Sequence, residues 1–176
     1  MAELNIQWDK NNNVRIVEGK SLVFHCHHYN CFLQKSIEGP KTINGKEILT
    51  DEALKTSYEH FTKAFSDHKE LKAPKERLMF ASMFFQVAGF GIVRFNSAFT
   101  GVSEKGGKVF CSVSHYAKGW VSKFGKRDTP CCHFNTGWIS GALAAAFDKE
   151  RYYYITKETK CEAVSGKGCT YLVEVR

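Results

Sequence analysis

The residues best equipped for chemistry lie in the last third of the chain. Cys131-Cys132-His133 precedes a small apolar run that reaches Phe147, and Glu158-x2-Cys161-x7-Cys169 follows it. Three thiolates and a carboxylate are the donors that a closed tetrahedral zinc site needs, and thiolate sulfur favours zinc among common intracellular ions. Spacing alone serves a second reading equally well, in which these are simply buried apolar cysteines. Nor does spacing choose between the adjacent Cys131 and Cys132. Another loaded stretch is His25-Cys26-His27-His28-Tyr29-Asn30-Cys31. On a helix His27 shares a face with Cys31, and so does His28, so with His25 this stretch offers half of a haem site or of a second metal site. A surface helix with polar histidines and a buried Cys31 explains the same letters and needs no partners from elsewhere.

The elements that must position these groups show in the hydrophobic periodicity. Leu4 to Trp8 alternates apolar and polar residues, Asp9 to Asn13 is a turn cluster, and Val14 to Val17 resumes the alternation, which predicts an amino-terminal hairpin within residues 1–20. Helix is expected over most of Leu22 to Ile37. A loop with an Asn-Gly turn follows, and then a helix that Thr50 would cap, with a core-facing stripe at Leu54, Tyr58, Phe61 and Phe65. Pro74 opens a further helix. It is apolar nearly all round from Leu78 to Val87, and burial is expected for it. Ile92 to Phe95, Phe99 to Val102 and Val109 to Val113 read as strands, the last two about a turn at Glu104 to Gly107. After a short helix containing Trp120 and Phe124 comes the helix that follows Cys132, in which Gly137, Gly141 and Ala144 to Ala146 permit close packing. Two strands close the chain, around a turn at Ser165 to Gly168. The fold class is α+β: one domain over 1–176, with an antiparallel sheet of about five strands packed by about four or five helices.

Cys132-x4-Gly137-x3-Gly141, then Glu158-x2-Cys161-x7-Cys169 and a final apolar strand, resemble the carboxy-terminal signature of the 4-vinyl-reductase domain family over the last third to half of the chain. That family includes aromatic-sensing input domains of phenol-responsive bacterial regulators, proteins tied to bacteriochlorophyll synthesis, and archaeal proteins described as hydrocarbon-binding. The resemblance implies a zinc ion held by Cys132, Glu158, Cys161 and Cys169 in a carboxy-terminal part spanning 132–176, and a homodimer formed through the amino-terminal half. In the phenol sensors a histidine and a tryptophan contact the ligand hydroxyl, and His115 and Trp120 are the nearest candidates here. The connection from Cys132 to Glu158 is a few residues longer than in those sensors.

The aromatic helix around Phe84, together with Phe134 and Trp138, has the composition to enclose an apolar or aromatic ligand oriented by His115, although burial alone accounts for each aromatic taken singly. The net charge of +7 arises from lysines spread along the chain, which disfavours nucleic acid as a partner. Seven cysteines, an odd number, and a polar start point to a reducing, cytoplasmic setting. No apolar run is long enough to span a membrane, and no Gly-rich phosphate loop or Ser-His-Asp order supports nucleotide or hydrolytic chemistry. The expectation is a stand-alone, zinc-stabilised binding protein for a hydrophobic, aromatic or tetrapyrrole-like molecule. The alternatives are a haem- or chlorin-binding enzyme or biosynthesis accessory that uses the histidine cluster, and an assembly subunit with a protein partner.

Overall fold

In the computed structural model, residues 4–12, 14–22, 26–95 and 101–176 are described, with the backbone alone at His27. The chain begins with β1 (Ile6–Asp9), β2 (Val14–Val17) and β3 (Lys20–Leu22), an antiparallel three-stranded sheet in which Asp9 Oδ1 accepts the backbone N–H groups of Asn11 and Asn12 and so closes the first turn. The expected hairpin thus gains a third strand after Val17. Glu18 and Gly19 both take positive φ there, turning the chain back instead of ending the sheet.

Helix α1 (His27–Glu38) starts later than Leu22. Next, α2 (Gly45–Asp67) begins well before Thr50, because Asn44 is its cap: the Asn44 side chain accepts from Glu47 N–H, and Glu47 accepts from the Asn44 amide in return. Thr50 lies inside the helix. Next, α3 (Pro74–Val87) buries Leu78, Phe80, Ala81, Phe84 and Phe85 but leaves Met79 and Val87 exposed, so its apolar composition overstates its burial.

The second sheet has the order β4 (Gly91–Arg94), β6 (Gly106–Ser114), β8 (Cys169–Val175), β7 (Tyr154–Lys160), with the short β5 (Val102–Ser103) also paired to β6, and every pairing is antiparallel. Phe99, expected in a strand, lies outside the described residues. Helix α4 (His115–Phe124) follows β6 directly, α5 (His133–Ala146) crosses the sheet, and the short α6 (Glu162–Ser165) fills the connection from β7 to β8, where only a turn was expected. No described helix is long and apolar enough to cross a membrane.

Helix α5 is buried on all sides from Asn135 to Ala146, because the sheet covers one side and α2 the other. Two glycines set that second contact. A Cβ at Gly137 would lie 1.8 Å from the Thr50 carbonyl oxygen, and one at Gly141 would lie 2.4 Å from that of Leu54. These carbonyls are backbone and cannot turn aside, and at Gly141 the Ser57 hydroxyl stands nearer still, at 2.1 Å, so the helices could only move apart. Gly141→Ala is therefore expected to destabilise by about 1–3 kcal/mol, the usual cost of overpacking. A denaturation midpoint equal to that of the unaltered protein would show that the interface yields without cost.

Candidate metal centre and adjoining cleft

Four segments converge at the start of α5. Cys132 is the residue before its first turn, Glu158 sits in β7, Cys161 precedes α6, and Cys169 opens β8. Glu158 and Cys161 are three apart, and in an unbroken strand residues of opposite parity point to opposite faces. A register shift between Glu158 and Lys160 inserts Thr159 as one extra residue, which brings both donors to the same side. Just before Cys169, Gly168 takes a positive φ (52°) beneath the ring of Phe110, which approaches to within 3.0 Å of where a Gly168 side chain would start.

One ligand atom from each of Cys132, Glu158, Cys161 and Cys169 lies within 4.8 Å of all the others, and the three cysteines are at most 1% exposed. The Cys132 and Cys169 sulfurs are 3.7 Å apart. A tetrahedral ion with metal–sulfur bonds of about 2.3 Å has sulfur–sulfur edges of about 3.8 Å, so the donors are spaced for one such ion. Glu158 Oε2 accepts from Cys132 N–H at 2.9 Å, while Glu158 Oε1 is buried without a hydrogen-bond partner. Burial and the neighbouring Cys161 push the Glu158 carboxyl up to about 8, and burial pushes the Cys132 thiol up as well. Hydrogen bonds from Cys131, Cys132 and Cys169 hold Cys161 low, as the thiolate of the group. Acidic groups crowded into a dry space resist ionising together, and a divalent cation among them reverses that balance. The donor set, the spacing and the orphaned carboxylate oxygen all fit a metal ion, and the three-sulfur, one-oxygen composition is compatible with zinc.

Around the donors runs a polar chain that sequence reasoning missed. Ser114 Oγ is 3.2 Å from Cys132 Sγ, and Asn135 Nδ2 donates to both Ser114 Oγ and Tyr171 OH at 3.1 Å. A lone amide in an otherwise apolar helix was the available signal for Asn135. Gln34 of α1 donates to the Cys131 carbonyl at 2.7 Å. It also donates to Glu38, whose carboxylate pairs with Arg127 Nη2 at 2.7 Å and has His133 Nε2 at 3.4 Å.

The residues expected to surround a ligand fall into three places. His115 lines an open cleft of about 840 Å³ between the start of α1, α4 and the turn after α3. Its walls include Leu22, His28, Phe90 and Tyr116, and Asn30 Nδ2 lies 3.3 Å from His115 Nε2, so the histidine cluster and His115 meet although 85 residues separate Asn30 from His115. Phe134 stands behind this wall, 5.1 Å from the Tyr116 ring and 4.5 Å from that of Phe90. Phe84 and Trp138 are instead deep in the core with Phe61 and Phe85. Trp120 packs on Phe124, with the Arg127 guanidinium 4.1 Å over its ring. Within the histidine cluster, His28 is exposed to the cleft while Cys31 is 1% exposed, its thiol pushed up by burial; His25 and the His27 side chain lie outside the described residues. In the core, His60 is 5% exposed with no hydrogen-bond partner for Nε2, its ring 4.3 Å from that of Phe84. Burial lowers its pKa to about 4, so it is neutral near pH 7.

No family model matches the chain, and neither does any curated protein. Among solved structures, the phenol-responsive sensory domain of the transcription activator PoxR, determined with phenol, superposes with a TM-score of 0.80 at 11% identity, over 97% of this chain and 84% of that one. A vinyl-4-reductase family protein from Methanocaldococcus jannaschii superposes with a TM-score of 0.56 at 16% identity, over 90% of this chain and 86% of that one. The chain has the 4-vinyl-reductase-like fold that these two share.

Proposed function

We propose that the protein is a receptor for a small aromatic molecule, on a scaffold tied together by a structural zinc ion at Cys132, Glu158, Cys161 and Cys169. The observation that carries the ligand half is the cleft at His115. It has the size of a small-molecule site, an apolar floor of Leu22 and Phe90, and a few convergent polar groups in His28, Asn30 and His115. A phenolic hydroxyl is a donor and an acceptor at once, which suits an amide and two imidazoles. The PoxR sensory domain, alike in fold, was solved with phenol, and that supports the same class of ligand here.

The zinc ion supplies a closed, redox-inert tetrahedral centre, suited to architecture rather than to turnover. The chain's own residues do the rest. Cys132 and Phe134 fix the first turn of α5, and the stack of Phe134 on Tyr116 backs the wall of the cleft, so the donor cluster and the cleft share one short segment. A second reading places the ligand in the core at His60, whose unpartnered Nε2 is the one observation that favours it.

The test is a thermal-shift series with phenol and substituted phenols on the purified protein, with His115→Ala and His60→Phe as variants. A ligand that binds only the folded state at a hundred times its dissociation constant adds about 2.7 kcal/mol, or about 5–11 °C. The shift is expected to disappear in His115→Ala and to persist in His60→Phe; the opposite pattern moves the site to the core. No shift with any phenol in the unaltered protein rejects the aromatic class. A Soret absorption band in the same preparation, lost in His28→Ala, would favour the tetrapyrrole alternative. Sedimentation of that sample reads its assembly state, for which the exposed Phe32 and Leu33 on α1 and Ile6 and Trp8 on β1 support a homodimer.

A further inference from the structure

The cluster contains one thiol more than a tetrahedral ion needs. Cys131 is fully buried, and its sulfur lies 3.8 Å from that of Cys161, close to the 3.7 Å that separates Cys132 from Cys169. Both distances match the sulfur–sulfur edge of about 3.8 Å that metal–sulfur bonds of about 2.3 Å require. Its backbone is held by Gln34, itself 4% exposed, which donates to the Cys131 carbonyl. Spare thiols of this kind are not needed to fill space beside a finished site, since an alanine or serine would do so without the reactivity. The donors that already lie within 4.8 Å of one another nevertheless include Glu158 and not Cys131, so the resting set has one oxygen.

We infer that Cys131 is a reserve ligand that makes this a centre for two classes of ion. With zinc, a borderline ion, the donors are Cys132, Glu158, Cys161 and Cys169. With a softer divalent ion such as cadmium, thiolate is preferred over carboxylate, and Cys131 replaces Glu158 to give four sulfurs. In that set the Cys131 thiol would give up its proton to water, and the Glu158 carboxylate would stay on the Cys132 N–H that its Oε2 already accepts. This inference rests on the proposed metal centre and adds to it a preference between metals. The donor exchange also loosens the one tie between β7 and the start of α5 that the carboxylate makes through the ion, so the identity of the metal would be felt at the first turn of α5.

The experiment is X-ray absorption at the metal edge on the full chain loaded with zinc alone or cadmium alone, together with competition between the two ions. The unaltered protein is expected to show three sulfurs and one oxygen around zinc and four sulfurs around cadmium. Cys131→Ser should leave the zinc shell as it was, cut the cadmium shell to three sulfurs, and lower the cadmium-to-zinc affinity ratio about tenfold, equivalent to ~1.4 kcal/mol. Glu158→Gln gives a second route that keeps Cys131 in place: it should weaken zinc and leave the cadmium shell and affinity unchanged. A cadmium shell that retains oxygen and is the same in Cys131→Ser overturns the inference while the zinc reading stands. A zinc shell of four sulfurs that loses one in Cys131→Ser also overturns it, by making Cys131 the resting ligand. Failure of the unaltered protein to take up either ion overturns the metal centre and the reserve ligand together.

Discussion

Cys169→Ser is expected to cost about 3–5 kcal/mol, the range for removing one partner from a buried charged set, and to lower the melting temperature by about 6–20 °C. Cys169 is fully buried, its sulfur is 3.7 Å from that of Cys132, and it accepts the Glu162 N–H. A serine oxygen is a poor thiolate substitute, so an ion held by these donors, as proposed, would be lost with the ligand. What remains is a buried carboxyl and two buried thiols that no cation offsets, at the junction of α5, β7, α6 and β8. Treating the unaltered protein with a strong chelator should produce a loss of the same order, because binding free energy of a structural metal is folding free energy. Cys26→Ser, at an exposed cysteine, serves as the control and should change nothing. Calorimetric scans of the four samples check this, and equal melting temperatures with and without chelator would mean that these donors hold no ion.

Arg127→Ala should have an effect of similar size by a different route. Arg127 Nη2 bonds Glu38 Oε2 at 2.7 Å, with side chains only 12% and 9% exposed, and the Arg127 N–H donates to the Ala163 carbonyl beside the donor cluster. Removing the guanidinium leaves a buried carboxylate with an amide and an imidazole alone to balance it, at a cost of about 3–5 kcal/mol. The same contacts set an acid limb of stability. Burial alone would raise the Glu38 pKa, but the His133, Arg127 and Gln34 side chains outweigh it and bring it to about 2, from an ordinary value of 4.5. A carboxyl with a depressed folded-state pKa contributes stability that is complete above its unfolded value of 4.5 and is lost as pH falls towards 2. That contribution is on the order of 3 kcal/mol. Unfolding free energies measured between about pH 5 and pH 2 should therefore fall less steeply for Arg127→Ala than for the unaltered protein, and superimposable slopes would reject the pair as the source.

The donor types were legible in the sequence, but the choice among them was not: spacing served buried apolar cysteines equally well and left Cys131 and Cys132 undivided, and only the family resemblance implied the set Cys132, Glu158, Cys161 and Cys169. The ligand site was less legible still. Phe84, Trp138, Phe134 and Trp120 look alike as apolar letters, yet two lie in the core, one backs the cleft and one carries a guanidinium on its face. Periodicity reports that a residue is buried and not what it is buried against. The start of α2 at Asn44 was missed because Asn-Gly signals a turn and a cap equally well, and local chemistry could not separate them.

By itself the sequence determined the types of donor, their order, and the alternation of strands and helices, since these depend on neighbours within a few residues. Tertiary structure alone decided which faces meet. The extra residue at Thr159 turns Glu158 and Cys161 to one side only when β7 is laid against β8. His28 reaches the cleft of His115, and Glu38 reaches Arg127, only when α1 settles on α4. Cys131 sits a tetrahedral edge from Cys161 only when the start of α5 meets the end of β7. Each of these depends on distances between segments far apart along the chain, fixed by the packing of the whole and absent from the pattern of any one segment.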